Sequence, residues 1–342
     1  MAFFITYFYI MPSLYSFIIP VYNRPAEIRE LMLSIVALHG DLPFEVVIVD
    51  DGSEFKSDTI EAEFPLLTIK YFYKANTGPG DSRNYGMKRA NGDYYIILDS
   101  DCLLNTDYLI MVNQSLNELY VDCFGGPDAA HQSFNFRQKA ISYVMTSFFT
   151  TGGIRGSKKS LKRFEPRSFN MGLSKSAFEK TGGFSDLHPG EDPELVHRLW
   201  DLGFNSKFIN GAIVYHKRRL TWRTYASQIY KFGLARSILN KRHPKYSSFV
   251  FWLPVILIIM ALSALVLAFF EFPYLLIVGV IYFFFMMVSA VIHLRTIKAV
   301  LFVPIIFIAQ NLMYSIGFIY GWWHLRVLGK SAQIKFSSMF FK

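Results

Sequence analysis

Three long runs without a charged residue, all beyond residue 248, limit what this chain can fold into. Residues 249–270, 274–292 and 299–323 contain no Asp, Glu, Lys or Arg. Each meets or approaches the ~20 residues that an α-helix needs to cross a bilayer. One such run alone is also what a buried core helix looks like, but three in succession predict a membrane region. The short connections Glu271-Phe272-Pro273 and 294–298 make the first two a helical hairpin. The 52% hydrophobic and 17% aromatic content of the 342 residues is high for a wholly soluble protein, and the excess sits in these runs. Because they hold no acidic or basic side chain to line a path, a transporter is poorly supported.

The net charge is +9, and the basic residues gather before and beside the apolar runs. Lys217, Arg218, Arg219, Arg223, Lys231, Arg236, Lys241, Arg242 and Lys245 precede the first run. By the positive-inside rule the region ahead of them is expected on the cytoplasmic side, and the Arg295/Lys298 connection returns there. Three full crossings would place Arg326, Lys330, Lys335 and Lys342 outside. Either the third run is re-entrant or interfacial, or the rule is broken, and the charge balance favours the former. Residues 221–239 set Trp222, Tyr225, Ile229, Tyr230, Phe232 and Leu234 among Arg223, Lys231 and Arg236, which reads as an interfacial amphipathic helix. Residues 1–15 are apolar but lack a basic leader and a convincing cleavage site, so no signal peptide is read, and Met11 is an alternative start. Cys102 and Cys123 form neither a disulfide framework nor a C-x-x-C spacing, which suits a reducing compartment.

Ahead of the membrane region, short apolar runs alternate with helix-like segments. Strands are expected at 16–19, 44–49, 67–71 and 94–98, with helices near 26–38 and 81–90. This order predicts an α/β domain with a mostly parallel, doubly wound sheet. Polar clusters follow three of the strands: Pro20-Val21-Tyr22-Asn23-Arg24, Asp50-Asp51-Gly52-Ser53 and Asp99-Ser100-Asp101. All three gather at one rim, where open α/β sheets keep their active sites. In extended backbone, residues i and i+2 point to the same side, so Asp99 and Asp101 can converge on one hard cation or on a cation-bound diphosphate. A D-x-D triplet read alone is more often an acidic turn. Asn76-Thr77-Gly78-Pro79-Gly80 leads into Asp81-Ser82-Arg83-Asn84, where Arg83 in a first helical turn can reach a phosphate with help from the helix N-terminus. No Gly-Lys-Ser/Thr follows to make a P-loop, and no G-x-G-x-x-G is present.

These stretches, from Phe17-Ile18-Ile19-Pro20 through Ile97-Leu98-Asp99-Ser100-Asp101, resemble in order and spacing the nucleotide-sugar half of family-2 inverting glycosyltransferases with the GT-A fold, a Rossmann-like nucleotide-diphospho-sugar transferase domain. The likeness covers residues 15–125 and continues beyond them. Ser168-Phe169-Asn170-Met171-Gly172 resembles the acceptor-side strand, Thr181-Gly182-Gly183-Phe184 the following turn, and Gly190-Glu191-Asp192-Pro193 the acidic motif that carries the family's base. Pro193 suits the first turn of a helix expected over 194–202.

The resemblance implies inverting transfer from a nucleoside diphosphate sugar, in which an acceptor hydroxyl attacks the anomeric carbon as the diphosphate departs. It implies Asp101 as a direct ligand of Mg2+ or Mn2+, with Asp99 reaching the metal through water or holding the sugar or ribose. His216, after the strand-like 212–215, sits where several relatives place a third ligand; on its own a lone His is more often structural. Asp192 is implied as general base and Glu191 as a residue orienting acceptor or base, although without the family the pair also reads as simple helix capping. Pro20 and Tyr22 are placed against the donor's base, Asp51 on its polar edge and Arg83 near the diphosphate, while Asp50 serves the turn.

The stretch 152–167, with Arg155, Lys158, Lys159, Lys162, Arg163 and Arg167, reads as a solvated basic loop or as a mobile lid over the diphosphate or an acceptor phosphate. Nucleic acid is not an expected partner, because no RNA-binding motif is present and the membrane accounts for the charge. The family's polymerases carry a Q-x-x-R-W motif near 228; Gln228-Ile229-Tyr230-Lys231-Phe232 does not match it, which favours addition of one sugar. The expected organisation is a cytoplasmic domain over 1–245 (nucleotide-sugar half 15–125, acceptor half 126–220, interfacial helix 221–245), a multi-pass inner-membrane region over 246–325 and a basic tail over 326–342. The expected acceptor is a lipid-linked or membrane-associated glycan. The alternatives are a polyprenyl-phosphate glycosyltransferase, whose acceptor needs no base, and a non-catalytic nucleotide-binding membrane scaffold.

Overall fold

The computed structural model describes residues 12–131, 133–152, 164–217 and 221–341. The expectations attached to residues 1–11, to Arg155, Lys158, Lys159, Lys162 and Arg163 of the basic loop, to Arg218 and Arg219, and to Lys342 of the tail lie outside the described residues. Along the chain come β1 (Tyr15–Val21), α1 (Pro25–Val36), β2 (Phe44–Asp50), the single turn α2 (Ile60–Glu63), β3 (Ile69–Tyr73), α3 (Pro79–Met87), β4 (Tyr94–Leu98), β5 (Cys102–Leu104), α4 (Tyr108–Glu118) and β6 (Cys123–Gly125). Then follow β7 (Asp128–Ala129), α5 (Phe136–Thr146), α6 (Phe148–Thr151), β8 (Asn170–Ser174), α7 (Lys175–Thr181), α8 (Glu191–Asp201), β9 (Ser206–Phe208) and β10 (Val214–His216). The four longest helices come next: α9 (Trp222–Arg242), α10 (Leu253–Phe269), α11 (Tyr274–Leu294) and α12 (Ala299–Trp322). The chain divides into two compact units, one holding the described residues of 12–127, 164–185 and 198–216, the other those of 128–159, 186–197 and 217–342.

The first unit is built on a seven-stranded sheet of order β3-β2-β1-β4-β8-β6-β9. Strands β3, β2, β1 and β4 are parallel, as the alternation of strand and helix predicts. The sheet is mixed beyond them, because β8 runs antiparallel to both β4 and β6. Every residue of β1 is buried, and its two faces meet different partners. Phe17, Ile19 and Val21 join Ile28, Leu31 and Ile35 of α1 and Leu109 and Val112 of α4 in the main core. On the other face α3 comes close to the sheet at Gly86, where an added Cβ would stand 2.9 Å from Ile18 Cγ2. Fully burying each such aliphatic side chain contributes roughly 1.5–3 kcal/mol, so a strand buried on both faces reads as a continuous apolar run.

Two details hold this sheet in register. Phe124 of β6 faces Gly172 of β8, and a Cβ on Gly172 would lie 1.9 Å from the Phe124 ring; the ring occupies the space that any side chain would need. At the N-terminal ends of β1 and β2, Glu45 is buried with Ser16 Oγ donating to its Oε1 at 2.8 Å and Lys70 Nζ 2.8 Å from its Oε2. The Asn91 amide also donates to Glu45, and Gly92 N donates to Ser16 Oγ at 3.0 Å. One carboxylate thus ties β1, β2, β3 and the turn before β4 together. Burial alone would raise the Glu45 pKa, but Lys70, the Asn91 amide and the Ser16 hydroxyl outweigh it and hold the group below its ordinary value.

Among the described residues of the second unit, three helices are long and apolar enough to cross a membrane: residues Phe249–Phe269, Tyr274–Leu294 and Ala299–Val327. The last is α12 continued through a π-helical turn, Trp323–Val327, so the chain does not double back within it. Helix α9, expected as an interfacial helix, packs along α12 through small residues. A Cβ on Gly233 would stand 2.1 Å from Tyr314 O, one on Gly317 2.1 Å from Tyr230 O, and one on Gly321 1.9 Å from Ser237 Oγ. Small residues four apart on both helices let the two backbones approach closely. Val144 of α5, Ile229 of α9, Met286 of α11 and Val303 of α12 complete a common core.

Two stability predictions follow from the sheet. Gly172→Ala should overpack the Phe124 ring and cost about 1–3 kcal/mol, read as a lower thermal midpoint of the purified protein. Glu45→Gln should cost about 1–3 kcal/mol near pH 7. A carboxylate with a depressed folded pKa stabilises fully above its unfolded value of about 4.3 and progressively less as the pH falls through the folded value. The gap between Glu45→Gln and wild type should therefore narrow below about pH 4 in melts taken across pH.

Candidate active site

The parallel register aligns the ends of β1 and β2, with Val21 opposite Asp50, so the polar residues that follow each strand meet. Pro20 is buried within β1, and Tyr22 beyond it is 51% exposed. Asn23 has a left-handed backbone (φ 51°). Its amide donates to Ser53 Oγ at 2.8 Å, and its side-chain oxygen accepts from the Glu54 and Phe55 amides. This pins the first strand end to the turn after β2. Asp50 serves that turn, as expected, accepting from Ser53 N at 2.7 Å and from the Tyr71 hydroxyl at 2.5 Å.

Asp51 is buried and spends both carboxylate oxygens on the glycine-containing loop. Oδ1 accepts from Lys74 Nζ at 2.6 Å and from Thr77 N at 3.0 Å, and Oδ2 accepts from Gly78 N at 2.9 Å. Gly78, with φ 94°, caps α3, a conformation in which a side chain is strained. The first turns of α3 carry Arg83, 3% exposed, whose Nη2 donates to Asp99 Oδ1 at 2.7 Å.

Asp101 lies where β4 hands over to β5 and is 8% exposed. Its Oδ2 pairs with Arg24 Nη1 and its Oδ1 lies 3.1 Å from His216 Nε2. The second contact is a consequence of register: β10 pairs antiparallel with β5, which sets His216 directly opposite Cys102. The His216 ring also stacks on Phe169, with centroids 4.9 Å apart. Burial acts to raise the Asp101 pKa, but His216 and Arg24 outweigh it and hold the carboxyl well below the usual carboxylate range. Arg24 is correspondingly held charged, its own burial being outweighed chiefly by Asp101.

The donor set fits a divalent cation. One ligand atom each from Asp101, Cys102 and His216 lies within 4.8 Å of the others. Two adjacent ligands of an octahedral ion bound at about 2.0–2.1 Å stand about 3 Å apart, close to the 3.1 Å between Asp101 Oδ1 and His216 Nε2. A carboxylate oxygen suits Mg2+ or Mn2+, and of these two the softer Mn2+ takes an imidazole nitrogen more readily, whereas a thiol suits neither. Cys102 is fully buried with its Sγ directed at Phe169 O, 3.6 Å away.

The first unit thus brings together Asp99, Asp101, Arg83 and His216, with Pro20, Tyr22 and Asp51 on the neighbouring strand ends. Glu191 and Asp192 belong to the second unit, where α8 begins at Glu191, three residues ahead of its expected start. Glu191 is buried and its Oε2 accepts from Gly190 N at 3.0 Å and lies 3.1 Å from His188 Nδ1; Asp192 is half-buried in the first turn. Sequence reasoning assigned no role to Arg24 or Lys74. Arg24 stands in the polar cluster after β1, but nothing in its neighbourhood along the chain points to Asp101, 77 residues away.

Residues 16–182 match the family model described as glycosyl transferase family 2. A probable glycosyltransferase of Bacillus subtilis, YdaM, is 27% identical over 62% of this chain and 53% of its own length. An uncharacterized glycosyltransferase of Rickettsia felis is 34% identical over 40% of this chain and 22% of its own length. The chain therefore spans about half or less of these curated relatives. Among solved structures, a mannosyltransferase from Pyrobaculum calidifontis in complex with GDP-Man and Mn2+ superposes with a TM-score of 0.62 at 14% identity, over 92% of this chain and 88% of that one. Residues 16–182 are thus similar to glycosyl transferase family 2, the fold is shared with a mannosyltransferase, and three helices long and apolar enough to cross a membrane follow among the described residues.

Proposed function

We propose that the protein moves one sugar from a nucleoside diphosphate sugar to a lipid-linked or otherwise membrane-associated glycan, with inversion and with the help of Mg2+ or Mn2+. The observation that carries this reading is the carboxylate–imidazole couple of Asp101 and His216 at the end of β4, flanked by Arg24 and by the Arg83–Asp99 pair. The mannosyltransferase of similar fold was solved with a nucleoside diphosphate sugar and Mn2+, which supports the same donor class and metal type here.

In this reading Asp101 and His216 hold the cation, and Asp99 reaches it through water or holds the sugar or ribose. A cation held there neutralises charge that builds on the departing diphosphate. Arg83 adds positive charge on the diphosphate side, and the α3 N-terminus presents backbone amides of the same sign. Pro20 and Tyr22 form the wall against the donor's base. Asp51 acts by fixing the loop to Gly78, because its oxygens are already spent on that loop. Asp192 takes the proton from the attacking hydroxyl, and Glu191, anchored by His188 and Gly190, orients it. The apolar helices favour an acceptor presented at the membrane.

Detergent-purified protein offered a panel of UDP- and GDP-sugars should release nucleoside diphosphate from one of them, and release should stop with EDTA. Asp101→Asn and His216→Ala should each weaken Mn2+ binding by more than about 10-fold in calorimetry. Full release in EDTA, or unchanged Mn2+ affinity in both variants, would contradict the metal site.

Asp192→Asn should lower transfer by about 10²- to 10⁴-fold with little change in the donor KM. An acceptor that is already ionised, such as a polyprenyl phosphate, needs no base, and retention of transfer by Asp192→Asn would indicate that class instead.

A further inference from the structure

The segment just before the acidic motif is gripped from outside its own stretch of chain. Leu187 and Phe340 form an antiparallel bridge, in which His188 N donates to Met339 O at 2.8 Å and Phe341 N donates to Asp186 O at 2.9 Å. Leu187 is fully buried in a cluster with Leu234 and Ile238 of α9, Leu325, Phe336 and Met339. The His188 ring lies 5.7 Å from the Phe341 ring, and the same imidazole meets Glu191. Arg242 covers the Phe340 ring and lies 3.9 Å from Asp186. The path back to α12 is also fixed: Lys241 Nζ donates to Leu325 O at 2.9 Å and to Lys330 O at 3.2 Å, and Arg326 donates to Asn240 O at 2.9 Å.

We propose that residues 336–341 are a positioning strap for the acidic motif: by pairing with residues 186–188 they fix where Glu191 and Asp192 stand relative to the apolar helices. This rests on Asp192 serving as the base. None of the strap's side chains is assigned to substrate, so its role is to position. A base must lie within hydrogen-bond reach of the acceptor proton. Misplacement by about 1 Å can cost on the order of 100-fold in rate. Tying the motif to the end of α12 references the base to the helix that meets the membrane, where a membrane-linked acceptor arrives.

Phe341→Pro removes the amide that bonds Asp186 O, whereas Phe341→Ala keeps it; deletion of 336–342 removes the whole strap. In full-length protein in detergent, hydrogen exchange at residues 186–194 should accelerate in Phe341→Pro and in the deletion but not in Phe341→Ala, while exchange of β1 and β4 stays unchanged. Transfer from the cognate radiolabelled UDP- or GDP-sugar to a membrane lipid extract should fall about 10- to 100-fold in kcat, with affinity for UDP or GDP and Mn2+ retained. Unchanged exchange at 186–194 in Phe341→Pro overturns the strap, and so does faster exchange with unchanged kcat. A loss of nucleotide affinity equal to the loss in kcat marks a global defect and also overturns a positioning role. Asp192→Asn, run alongside, separates the two readings: full transfer by that variant overturns Asp192 as base and the positioning role that rests on it, whereas loss of transfer in Asp192→Asn with none in Phe341→Pro overturns the strap alone.

Discussion

Strand β1 must be apolar on both faces, and much of the first unit follows from that. Its odd residues pack on α1 and α4, and its even face receives α3 at Gly86. A strand so enclosed has no exposed side on which to place polar groups, so polarity is confined to its ends. Parallel pairing with β2 and β4 carries that restriction to the neighbours. The result is one rim at which Asn23, Arg24, Asp50, Asp51, Asp99 and Asp101 collect, while a buried ionic knot around Glu45 fastens the other end.

At the rim the governing problem is the burial of negative charge. An isolated carboxylate in a low-dielectric interior gives up its charge, yet Asp101 is held ionised at 8% exposure. Arg24 and His216 make this possible, one carried by the polar turn after β1 and the other delivered by the β5–β10 pairing. Asp51 is treated in the same way by Lys74 and two loop amides, and Asp99 by Arg83. Each of these three acidic residues therefore has its own basic partner, and Asp101 has two, an arrangement suited to exchanging one of those partners for a metal and a diphosphate.

Strongly periodic or uninterrupted local signals carried most of the readable information. The apolar runs before Asp50 and Asp99, the uncharged stretches beyond residue 248, and the motif order from Pro20 to Asp101 all lie within short windows, and the corresponding strands and helices are where those windows put them. What could not be read depends on pairing across long separations. Nothing in 170–174 announces that β8 runs against β4, since direction is a property of the connection rather than of the five residues. The contact of Arg24 with Asp101 and that of Phe340 with Leu187 span 77 and 153 residues, respectively, and neither partner is unusual in its own neighbourhood. Helix α9 read as interfacial from its aromatic and basic residues, whereas its small residues Gly233 and Ser237, which the amphipathic pattern ignores, set its packing on α12.

The most direct test of the central claim is a structure of the protein with Mn2+ and the nucleoside diphosphate of its donor, with the metal located by anomalous scattering. One peak is expected at about 2.0–2.2 Å from Asp101 and His216 Nε2, with Arg24 drawn off Asp101 and the diphosphate beside Arg83. A bound nucleotide whose metal lies away from Asp101 and His216, or a nucleotide seated at another face of the domain, would contradict it.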